Sequence, residues 1–268
     1  MHTLYQSNRI LTLTGWFHWL LVVVLLLIYP FDSRTILGIS PWIKPIKFSL
    51  SIAIYVWTLA WFMRYLQWDR PPGLSNPVSR SVRIISWGVA ISMVTEITCI
   101  VMQSARGVPS HFNGATPFDA AVFILMGATI GFNAMLVAWV LVLFFTSELL
   151  PITPAYARGI RCGLALFLLA SAEGGVMVGH HAHTVGAPDG GPGLPLINWS
   201  TQHGDLRVAH FLGMHALQVL PFAGYLMGRS RRRESAQKRY VLAFAFLYLV
   251  VMLVLTWVAF QGRPLVAL

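Results

Sequence analysis

Seven stretches of this chain are long and apolar enough to cross a lipid bilayer: about 10–29, 45–66, 82–104, 118–149, 158–179, 206–228 and 239–260. A helix rises about 1.5 Å per residue, so about 20 apolar residues span the hydrocarbon. Backbone groups there find no water, which leaves the helix as the natural element for each run. Composition agrees. Only 10% of residues are charged, against roughly 25% in soluble domains. Hydrophobic residues make up 56%, and the mean hydropathy is +0.67. A disordered chain, a coiled coil and an ordinary soluble enzyme are excluded. The expected fold is an all-α integral membrane protein, one domain over 1–268, built as a bundle of seven transmembrane helices. The first run exceeds a signal-peptide core and is followed by Pro30-Phe31-Asp32 instead of a small-residue cleavage site, so it reads as a retained span.

An odd number of spans puts the termini on opposite sides. Thirteen of the nineteen Lys and Arg fall on the side of the N-terminus and the loops after spans 2, 4 and 6, including Arg70 and the run Arg231-Arg232-Arg233. The positive-inside bias then places the N-terminus in the cytoplasm and the C-terminus outside. A bacterial inner (plasma) membrane is the expected location. The net charge of +10 is spread between apolar segments and forms no basic face, so the expected partner is the bilayer and not nucleic acid. Cys99 and Cys162 form no CxxC, which gives no disulfide frame, zinc ribbon or covalent haem attachment.

Four cations defy the bias. Lys44, Lys47, Arg106 and Arg207 sit at outer helix ends beside polar residues that face inward. Span 3 carries Ser92, Thr95, Glu96, Cys99 and Gln103 on one helical stripe. Span 4 has Asp119, Met126 and Asn133 at intervals of seven, and in span 5 Glu173 and His180 share a face. Span 6 gathers Arg207, His210, Phe211, Met214, His215 and Gln218 within about 140°. His18 lies one turn from Thr14 in span 1, whereas span 7 is almost wholly apolar, as a lipid-facing buttress would be. Seven of the nine histidines, among them His111, His180, His181, His183 and His203, fall at or near the outer side. Ionisable groups in spans are costly and mark functional sites by default, so the expectation is one outward-facing pocket. The loop of about 180–204 is Gly- and Pro-rich and reads as either a linker or a lid, with Asp205 as the N-cap of the next helix. Gly127–Gly131, Gly159–Gly163 and Gly175–Gly179 are small-xxx-small pairs that let helices approach.

These residue types leave several chemistries open. His and carboxylate donors suit zinc, copper or non-haem iron, and the candidate metal ligands are Glu173, His180, His181, His210 and His215. No HExxH or Glu-x-x-His motif joins them, and His210 and His215 stand about 140° apart, awkward for one ion. Haem b is the other candidate cofactor, with His18, His210 and His215 as axial ligands. Glu96 and Asp205 are the candidate catalytic acid–base groups. Lys44, Lys47, Gln103, Arg106, Asn133 and Arg207 are the candidate binders of a small anionic, lipidic or quinone-like substrate. The leading expectation is a membrane metal- or haem-dependent oxidoreductase. The alternatives are a transporter or binder of a small anionic or lipidic molecule using a proton-active pocket without metal, and a zinc-dependent intramembrane lipid hydrolase.

Overall fold

The computed structural model describes residues 2–66 and 77–267; Arg70 lies outside them. The chain is mostly helical: α1 (His2–Ser7), α2 (Arg9–Ile28), α3 (Ile43–Met63), α4 (Pro77–Arg106), α5 (Pro117–Thr146), α6 (Pro154–His180), α7 (Leu206–Gly228) and α8 (Glu234–Phe260). Among the described residues, seven helices are long and apolar enough to cross a membrane, α2 through α8 with their short 3-10 extensions. They match the seven expected spans. Large apolar side chains stand outward along them: Leu27 is 66% exposed, Ile124 69% and Phe246 68%. Lipid tails suit such faces and water does not.

The helix ends follow local chemistry. Proline opens α4, α5 and α6, where its missing N–H costs nothing and its φ is already helical. The Thr153 hydroxyl accepts from the Tyr156 amide, so α6 begins at Pro154, four residues before the apolar run suggests. The last helix likewise starts at Glu234 and not near 239, because a Glu234–Lys238 pair and Gln237, bonded to the Ser230 and Arg232 carbonyls, stabilise a polar first turn.

The chain divides into two compact units, 1–143 and 144–268. In the first, α2 packs on α3 and α4 through buried Leu11, Leu25, Val56, Leu59, Ile85 and Val89. Polar bonds fix the register: Asn8 caps α2 and donates to the Ser86 hydroxyl at 2.7 Å, and the Trp57 indole donates to the Thr12 carbonyl. Tyr55 of α3 and Asn133 of α5 bond reciprocally at 2.9–3.0 Å.

The second unit is built on an antiparallel α6–α7 pair crossed by α8. A Cβ added at Gly159 would lie 2.5 Å from the Leu220 carbonyl oxygen, and one at Gly163 would lie 2.8 Å from that of Ala216. Only glycine admits this approach, so the pair at 159 and 163 is a true helix seam. The pairs Gly127–Gly131 and Gly175–Gly179 face open space. Pro221 sits inside α7 against the seam. The connection from α6 to α7 contains a two-stranded antiparallel hairpin, β1 (Thr184–Val185) with β2 (Gly204–Asp205).

Candidate functional site

Four of the five stripe residues on α4 are buried, Ser92, Glu96, Cys99 and Gln103 each being at most 6% exposed, while Thr95 is half-buried. Glu96 lies ten residues before the end of α4 at Arg106, about 15 Å along the axis. One carboxylate oxygen, Oε2, is buried with no hydrogen-bond partner among the described residues. The other, Oε1, lies 3.9 Å from Nε2 of His111, which belongs to the connection before α5. On the far side of that ring, Lys44 Nζ and the Ser110 hydroxyl each stand 3.1 Å from Nδ1. An ammonium group only donates, so Nδ1 accepts and the ring proton sits on Nε2, toward Glu96. Phe48, Phe112 and Phe123 surround the imidazole with centroids 6.1–6.3 Å away. The Glu96 side chain is 3% exposed and that of His111 23%, so His111 joins a buried carboxyl to the surface. Lys47 is half-buried one turn further along α3.

Other expected substrate binders of this unit have definite partners. The Asp119 carboxylate accepts from Gln103 Nε2 at 2.9 Å, from Arg106 Nη1 and from the Thr116 hydroxyl at 2.6 Å. Arg106 also donates to Gln103 Oε1 and lies over the Phe118 ring. Gln103 and Arg106 thus clip the end of α4 to the start of α5, and Asn133 is taken up by Tyr55. A second clip ties the connection after α2: Asp32 accepts from Arg34 and the Trp42 indole, while Arg34 Nη1 donates to the Ala105 carbonyl. The Arg34 side chain, bonded to Asp32, holds that carboxyl well below the usual carboxylate range, with the Arg34 amide and Trp42 adding to the effect. His18 is fully buried, its Nδ1 2.8 Å from the Thr14 carbonyl.

In the second unit Glu173 accepts from the Thr256 hydroxyl of α8 at 2.6 Å, and its Oε2 is buried with no partner among the described residues. His210 Nδ1 lies 2.8 Å from the Ala170 carbonyl and therefore donates. That ring rests over Gly174, where an added Cβ would come 3.3 Å from His210 Cε1. His215 turns Nδ1 to the Phe211 carbonyl at 2.8 Å and packs on the Phe211 ring. His180 lies 3.3 Å from the Thr184 carbonyl, and exposed His181 ends α6 in the left-handed region at φ 55°. The five expected metal ligands each have their own local setting. Among the described residues, no three His, Cys, Asp or Glu side chains converge to hold a metal ion.

Asp205 is the N-cap of α7, as its position suggested. Its Oδ1 accepts from the Arg207 amide and Nε, and its Oδ2 from the Ser200 amide and Arg207 Nη2. Both oxygens of this expected acid–base residue are occupied. Nearby, Asp189 accepts from the amides of His183 and Thr184 and from His183 Nδ1 at 2.6 Å. Burial pushes the Asp189 carboxyl up, but the His183 and Thr184 donors outweigh it and hold the group well below its ordinary range.

Ser110, His111, Asp189 and Thr256 were not among the expected site residues. None carries a motif, and each acquires its role from a partner distant in the sequence or within a tight turn. The only hint was a histidine in a short connection near the Glu96 stripe. Comparison with known proteins adds no assignment: no family, curated protein or solved structure matches the chain.

Proposed function

We propose that this chain is a membrane protein that binds or transports a small anionic or lipidic molecule at a proton-active site built on Glu96, His111 and Lys44. The observation that carries the reading is a carboxyl buried in an apolar helix with one oxygen unpartnered and the other facing a half-buried imidazole. Such a group is expensive in hydrocarbon unless its charge is exchanged with a neighbour. His111 provides that exchange, since imidazole changes protonation near neutral pH. Lys44 supplies a cation for an anionic head group beside it. The distribution of Lys and Arg supports a cytoplasmic N-terminus, with this end of the bundle facing outward.

Infrared titration of the protein in lipid tests the reading. A carboxyl band that responds to pH should vanish in Glu96→Gln and shift in His111→Ala. Proteoliposomes should take up protons with added succinate, and Glu96→Gln should abolish that uptake. Equal bands in wild type and Glu96→Gln, or uptake no different from empty liposomes, would overturn it.

His210 favours a second reading, a haem- or metal-dependent oxidoreductase. Its Nδ1–H is fixed on the Ala170 carbonyl, which leaves the Nε2 lone pair for a ligand, as the second shell of a metal-bound histidine does. Oxidised and dithionite-reduced spectra, with metal analysis of the purified protein, decide between the two.

A further inference from the structure

The connection between α6 and α7 lines a half-open cavity of about 370 Å³ within the second unit, between Thr184, the exposed turn around Gly190 and Gly191, and Arg207. Ligand sites of this size accommodate small polar molecules. Two carboxylates stand at the cavity, Asp189 in its lining and Asp205 behind Arg207, and both are saturated by the hydrogen bonds described above.

Several donors in the lining remain unmatched. Arg207 spends Nε and Nη2 on Asp205 and the Asn198 carbonyl, and its Nη1 has no partner among the described residues. The locked edge fixes the guanidinium plane, so Nη1 is held in place in advance. The Gly190 amide has no acceptor among the described residues, whereas that of Gly191 closes the turn on Pro188, and the His203 ring makes no hydrogen bond among them. Gly190, at φ 99°, takes a conformation that side-chain-bearing residues avoid. Donors from an arginine, an imidazole and a loop amide around one concavity suit an oxyanion. A tetrahedral phosphoryl group, with several acceptor oxygens, can meet them from different directions.

We propose that this cavity binds a phosphate group, carried by a soluble molecule or by a lipid head group at the mouth of α7. The proposal uses only residues 184–207 and stands apart from the Glu96 site.

The test uses the full chain purified in detergent, with isothermal titration of two probes, inorganic phosphate and the soluble lipid dihexanoyl phosphatidylglycerol. Binding of inorganic phosphate that weakens about tenfold in Arg207→Ala, and measurably in His203→Ala, supports a soluble ligand. Binding of the lipid alone, weakened by the same variants, supports a head group. Should Arg207→Ala fail to fold because Asp205 loses its partner, His203→Ala decides by itself. No binding of either probe, or binding undiminished in the folded variants, overturns the proposal.

Discussion

Replacing Gly159 by Ala tests the α6–α7 seam that seats His210 against Ala170. The new Cβ would lie 2.5 Å from the Leu220 carbonyl oxygen and 3.0 Å from Pro221 Cα. Both are backbone atoms, so no side chain can swing aside. Ordinary contact begins at 3.4 Å, which leaves about 0.9 Å to be found by parting the helices, an overpacking that costs about 1–3 kcal/mol. Alanine also favours the helix by about 1 kcal/mol over glycine, which masks part of the loss. The same substitution at Gly175 on the same helix meets nothing within 4 Å and gains the propensity alone. The propensity therefore cancels between the two variants, and Gly159→Ala should be less stable than Gly175→Ala by about 1–3 kcal/mol. Equilibrium unfolding in mixed micelles, followed by far-ultraviolet circular dichroism, measures the difference. Equal stabilities, or a more stable Gly159→Ala, would refute the close seam.

Three further outcomes follow from the polar clips. Asp119→Ala strands the donors of Gln103, Arg106 and Thr116; because Arg106 is 38% exposed and regains water, the loss should be about 2–3 kcal/mol in the same unfolding assay. Arg161 donates through Nε and Nη2 to the Phe144 carbonyl at 2.9 and 2.6 Å, so Arg161→Leu should cost about 1–2 kcal/mol, with Arg161→Lys recovering only part because it lacks the fork. The Asp189 carboxyl is held below its ordinary value of 3.8 in the folded chain. Its clasp is therefore fully present above that value and is lost as pH falls from there through the depressed folded value. Proteolytic nicking of the 186–192 segment by an acid-active protease should rise across that window in wild type and stay high and flat in Asp189→Asn.

The spans and the buried α4 stripe could be read directly, because both are periodic properties of local sequence. Glu96, Cys99 and Gln103 recur on one helical face, and a helix keeps that spacing whatever packs against it. The N-cap role of Asp205 was equally local. The glycine pairs were not decidable in this way: 159–163, 127–131 and 175–179 have the same spacing, yet only the first meets another backbone. The five expected metal ligands share a chemistry and a depth. Whether imidazoles converge, however, depends on rotamers and on the carbonyls nearest to each ring.

Sequence alone determined that this chain forms seven long apolar helices, because an apolar run of about 20 residues meets its own backbone hydrogen bonds as a helix. Tertiary structure decided which polar groups meet. It set His111 between Lys44 and Glu96, gave Gln103 and Arg106 to Asp119, and closed Asp205 on Arg207. Those pairings are fixed by a few ångströms of helix placement and loop path, to which a one-dimensional pattern of residue types is blind.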